Sequence, residues 1–165
     1  MHRLLAEQYH HYIGRLSGVM LTCPSLSDSV KRGALLSDLP PHIRKQLSST
    51  LPTSPLIVKD MVQTCANYAD GETALFKALA IAEDGSLKQQ QVQAEWQTIQ
   101  QEMAEQDQLV AWIKGSGVAW DELQRLFLAV APSDYAARPH SVETLVRDLW
   151  EIPAGHEPLL IFLQR

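Results

Sequence analysis

SPLIVKDMVQTCANYADGETALFKALAIAEDGS, residues 54–86, decides the fold class of this chain, because it spells two short helices joined by a turn. Ser54 is placed to accept a hydrogen bond from an orphan backbone N–H, and Pro55 suits a first helical position, where its missing donor costs nothing. Ile57, Met61, Thr64 or Cys65 and Tyr68 then recur at steps of three and four, with Val58 and Val62 beside them, the spacing of a stripe that faces a core. Asp70-Gly71 breaks the pattern. A second helix follows, with Asp70 as its cap and Glu72 in its first turn. It turns Leu75, Phe76, Leu79 and Ala82 inward until Asp84-Gly85 ends it with a left-handed glycine. The reading is a helical hairpin with no catalytic constellation in it.

Upstream, from Leu4 to about Leu21, the apolar positions Leu5, Tyr9, Tyr12 or Ile13, Leu16 and Met20 predict a helix. Gly14 and Gly18 weaken it and favour a start near Tyr9. Thr22-Cys23-Pro24-Ser25 stops it. Ser27 or Asp28 offers a cap to a short helix carrying Val30, Ala34 and Leu35, and Ser37 to Pro41 ends that helix before Ile43 and Leu47 begin another.

Downstream, Ser86 caps a helix whose apolar positions Val92, Trp96, Ile99 and Met103 step by four, three and four through a Gln- and Glu-rich background. Ala104 to Asp107 supply no bulky apolar residue, and a junction is expected there. Leu109, Trp112 and Ile113 then predict a short helix ended by Gly115-Ser116-Gly117, and Trp120, Leu123, Phe127 and Val130, flanked by Leu126, predict another. Residues 131–140 read as a loop. Ser141 caps a helix with Val142, Leu145, Val146, Leu149 and Trp150 inward, and Pro153-Ala154-Gly155 separates it from a last helix with Pro158 near its start. The apolar Leu159, Leu160, Phe162 and Leu163 lead to the expectation that the natural protein continues. The expected architecture is all-α, with one domain over residues 1–106 and a second helical segment over 107–165 leading to a further module.

The 165 residues are 45% apolar and 20% charged, a globular composition, and a formal charge of −5 gives no general attraction to phosphates. No run approaches the roughly 20 apolar residues of a membrane span, and the N-terminus lacks a signal-peptide pattern, so a cytoplasmic protein is expected. Cys23 and Cys65 sit among apolar helical positions and read as buried small hydrophobes.

His10-His11 beside His2 and Glu7 lack metal-ligand spacing, because adjacent helical residues diverge by about 100°. Neither phosphate-loop pattern, GxxxxGK[ST] or GxGxxG, is present, so no cofactor is expected. Asp134, Tyr135 and His140 share a loop without a nucleophile and paired base at a defensible spacing. Charge supplies the remaining candidates for contact: basic spots at Lys31-Arg32 and Arg44-Lys45, the acidic Glu83-Asp84, and Trp112 and Trp120 flanking the Gly-Ser-Gly turn.

From about Tyr9 to Gln100 the chain resembles the second type of effector-associated domain, a small helical adaptor of bacterial conflict and immune-like systems. The resemblance is carried in order by CPSLSD at 23–28, SVKRGALLSDLPPHI at 29–43 and DMVQTCANYADGETALFKALAIAEDGS at 60–86. Two positions depart from it: Ala69 stands where the family's turn has Pro, and Glu72 follows Gly71 where apolar residues are usual. The resemblance implies a death-like helical bundle that acts by homotypic or partner docking. It would join an effector such as a protease or TIR-like enzyme to an NTPase or sensor, without substrate, nucleic acid or membrane. Residues from about 107 onward resemble the helical segment that often follows such an adaptor. Two other functions compete with this one. Short helices with basic spots suit a helix-turn-helix DNA-binding regulator, which the net charge disfavours, and a small hydrolase would have to use His10, His11 or His140.

Overall fold

Two consecutive 3-10 turns, His2–Leu5 and Glu7–Tyr9, lead into α1, His10–Met20, in the computed structural model, which describes residues 1–47, 54–131, 138–152 and 161–163. Then come α2 (Pro24–Ser27), α3 (Ser29–Asp38), α4 (Pro41–Arg44), α5 (Ser54–Ala66), α6 (Gly71–Glu83), α7 (Leu87–Gly115), α8 (Trp120–Val130) and α9 (Val142–Glu151). Among the described residues there is no strand, so the all-α reading holds. No helix among them is long and apolar enough to cross a membrane. Residues 51–53, 134–135 and 153–160, which carry several sequence expectations, lie outside the described set.

The chain forms two compact units, Met1–Gln100 and Gln101–Arg165. In the first, α5 packs on α1 and α6, α3 packs on α6, and α2 wedges against α3 and α6. The hairpin is as its periodicity requires: Val58, Met61, Val62, Cys65, Leu75 and Leu79 are fully buried. Its turn depends on Gly71. A Cβ there would lie 1.8 Å from the Cys65 carbonyl oxygen, so the two helices meet at a distance only glycine allows. Asp84 and Gly85 close α6, both with positive φ (46° and 70°), in the left-handed conformation that satisfies a helix C-terminus.

Caps explain the other starts. Asp28 Oδ1 accepts the backbone N–H groups of Val30 and Lys31, both at 2.9 Å, and Ser86 Oγ accepts from Gln89 N. Ser141 and Thr144 form a reciprocal capping box at the head of α9. Asp70 occupies the cap position of α6 without using its carboxylate on the backbone, contrary to expectation; that group faces His42 Nε2 at 3.2 Å instead.

Three inward assignments change. Val30 is 81% exposed and Ala34 is exposed, because the stripe of α3 that closes on the core is Arg32, Leu35 and Leu39, a three-then-four step that includes a half-buried arginine. Ala82 is exposed as well, since the inward stripe of α6 drifts from Leu75 through Leu79 to Glu83.

The larger correction concerns α7, which runs unbroken from Leu87 to Gly115. Residues 104–107, Ala-Glu-Gln-Asp, lack apolar bulk but contain no glycine or proline, and three of the four are good helix formers. A lapse in the seam is therefore no break in the helix. Val92, Trp96, Ile99 and Met103 are all buried as predicted. The second unit closes around Ile113, Leu123, Phe127, Leu145, Leu149 and Ile152.

Candidate docking surface

Charged side chains of the first unit divide into those used inside the fold and those presented outside it. Glu83 belongs to the first kind. Its Oε1 accepts the Ser25 backbone N–H at 2.7 Å and its Oε2 the Ser86 hydroxyl at 3.1 Å, which ties the end of α6 to α2 and to the start of α7. Arg32 Nη1 donates to the Leu26 carbonyl at 2.9 Å and to Ser54 Oγ at 2.7 Å, joining α2, α3 and α5. Both were predicted as contact residues, and both already have partners within the chain.

Glu72 is a third hub, and one that the sequence reading passed over as a first-turn acid. Its carboxylate takes the amino group of Met1 at 2.7 Å, the Trp96 indole N–H at 2.8 Å and the Gln100 amide at 3.3 Å. Burial alone would raise its pKa, but the ammonium, indole and amide donors outweigh it and hold the carboxyl below the usual carboxylate range. Trp96 and Gln100, one turn apart on α7, were the available signal. Their common acceptor lies 24 and 28 residues away, beyond any local pattern.

Of the predicted contact charges the other four face solvent: Lys31 on α3, Arg44 and Lys45 at α4, and Asp84 at the end of α6. Arg44 also donates to the Ser37 carbonyl at 3.2 Å. The Glu83 to Ser25 bond brings the end of α6 to α2, which immediately precedes the start of α3. Val30 and Lys31 lie in the first turn of α3, and Ile81 and Asp84 lie at the end of α6, the two helices being packed on one another. Val30 and Ile81 (60% exposed) are large apolar side chains left in water. The α3–α6 pair thus presents two exposed apolar side chains, a cation and an anion to solvent.

The described histidines and cysteines have these neighbours. His10 lies beside the Leu5 carbonyl at 2.8 Å, and His11 stacks at 3.8 Å, tilted, on Tyr12. Among the described residues no three His, Cys, Asp or Glu side chains are grouped to hold a metal. The His140 backbone N–H donates to Thr144 Oγ1 beside the α9 cap. Both cysteines are buried, as expected. Burial, with Glu83 adding to it, pushes the Cys23 thiol up to about 11, and burial with Asp70 pushes Cys65 to about 12. Neither is a thiolate nucleophile at neutral pH.

In the second unit Trp112 is 60% exposed, whereas Trp120 is half-buried against the apolar cluster. Asp134 and Tyr135 lie outside the described residues.

Residues 18–97 match the family model of effector-associated domain 2, a stretch that falls wholly within the first unit. Comparison with curated proteins and with solved structures gave no match.

Proposed function

We propose that the chain, whose residues 18–97 match the model of effector-associated domain 2, is a cytoplasmic, non-enzymatic adaptor. In this reading its death-like bundle docks with like domains, linking an effector such as a protease or TIR-like enzyme to an NTPase or sensor in a bacterial defence system. The observation that carries the reading is the family match. The surface is consistent with it. The first unit holds nine basic and nine acidic residues, a balance suited to pairing with a copy or relative of itself and poor for holding nucleic acid, whose binding rests on uncompensated positive charge. Docking uses Val30, Lys31, Ile81 and Asp84, with Arg44 and Lys45 adding long-range attraction.

Light scattering behind size exclusion tests this on the full chain across a concentration series, alone and mixed with helical adaptor domains from neighbouring reading frames. Mass that rises with concentration, or a new co-eluting complex, is expected. Val30→Asp combined with Lys31→Glu should weaken either by about tenfold or more. A chain that stays monomeric and ignores every neighbour would refute the adaptor reading.

A further inference from the structure

The second unit lies outside the matched family segment from Gln101 onward, and it carries an apolar groove of its own. Leu123 and Phe162, both nearly inaccessible, line it together with Trp112, Val118, Leu126 and Leu163, and Glu122 stands among them. Trp112 and Val118 are 60% and 43% exposed. At about 180 Å³ the groove takes one or two apolar side chains, well short of the roughly 300–1,000 Å³ of a small-molecule site. An exposed tryptophan beside a niche of this size is the anatomy of a protein-binding hot spot.

Charge identifies what fits. The whole formal charge of the protein resides in this unit, which has five basic and ten acidic residues against the balanced first unit. Of its cations, Lys114 is answered by Glu143, Arg125 by Glu122 and Arg147 by Asp148. Asp121 is exposed next to the groove, and Glu105 lies on the same exposed face of α7 as Trp112, two turns earlier.

We propose that this groove docks a basic amphipathic helix of a partner protein. Two apolar side chains at helical spacing enter between Trp112, Val118 and Leu126, while flanking lysines or arginines meet Asp121 and Glu105. This site is separate from the α3–α6 surface and shares no residue with it.

The test uses the full chain and two synthetic amphipathic helices with identical leucine spacing, one with lysine and one with glutamate on its polar face, followed by titration calorimetry. The lysine peptide should bind at least about tenfold more tightly than the glutamate peptide and weaken with added salt. Trp112→Ala and, separately, Val118→Asp should each reduce its binding by about tenfold with circular dichroism unchanged, since both side chains are exposed. Asp121→Lys with Glu105→Lys should reverse the peptide preference. Equal binding of the two peptides, binding of neither, or binding indifferent to Trp112→Ala would overturn the proposal. So would self-association abolished by Trp112→Ala, which would put a second copy in the groove.

Discussion

The two units solve the problem of closing a small helical core in different ways. In Met1–Gln100 the helices are tied together by charged side chains reaching far along the chain: Glu72 to Met1 and Trp96, Glu83 to Ser25, Arg32 to Ser54. In Gln101–Arg165, α8 and α9 each turn a sharply apolar face onto one cluster, and the capping box of α9 is local. The first unit therefore spends several of its charges inside and is electrically balanced. The second keeps its acidic excess and leaves an apolar groove at the surface. A buried charge tied at several points fixes one arrangement of helices, because leaving any one partner unpaired is costly.

The hardest way to break the comparison is Gly71→Ala. The added methyl has a backbone carbonyl in its way rather than a pliable side chain, so a loss of more than about 3 kcal/mol is expected, enough to unfold the first unit. Urea unfolding followed at Trp96, with the other tryptophans replaced by phenylalanine, would read it. An unchanged midpoint would mean that the hairpin turn is not as tight as described. In the second unit the matching local change, Ser141→Ala, removes one half of the capping box and should cost about 1 kcal/mol. The loss of helix in α9 should be readable by circular dichroism on heating.

The smallest effect separates the units by sign. Glu72 has a folded pKa below its unfolded value, so it contributes stability above the unfolded pKa of about 4.5 that is lost as pH falls through the lower folded value. Asp148 is the reverse. Burial raises its pKa above 3.8 despite the neighbouring Arg147, so its ionisation opposes folding at neutral pH, and that opposition is relieved as pH falls through the raised value. Glu72→Gln should therefore flatten the acid-side loss of stability, by about 1 kcal/mol or less because the side chain is partly solvated. Asp148→Asn should remove an acid-side gain. Urea midpoints of the wild type and both variants from pH 7 down to about pH 3 would decide it, and changes of slope with the same sign in the two variants, each relative to wild type, would contradict the assignment.

Most of the helices were legible, and so was much of their inward face. Val92, Trp96, Ile99 and Met103 were read as one seam and all four are buried, since a 3.6-residue period is written into neighbouring positions. The cap at Ser141 was legible for the same reason, and that of α3 down to Ser27 or Asp28, of which Asp28 makes it. The candidate contacts were less so. Lys31 and Arg32 are adjacent in sequence with opposite fates, one in solvent and one bonded to Leu26 and Ser54. Nothing local distinguishes them. Of the groove, only Trp112 stood out in advance, because Val118, Leu126 and Phe162 come from segments that meet only after closure.

The sequence by itself determined an all-α chain, the helical hairpin of residues 54–86 and the resemblance that the family match supports, because periodicity, caps and turn residues act over a few positions. Tertiary structure alone decided that Glu72 and Glu83 are internal ties and that Trp112, Val118, Leu126 and Phe162 line one groove. Those outcomes depend on which groups meet across 24 to 71 residues, and a hydrogen bond or a desolvated side chain has no partner to select until the chain has closed.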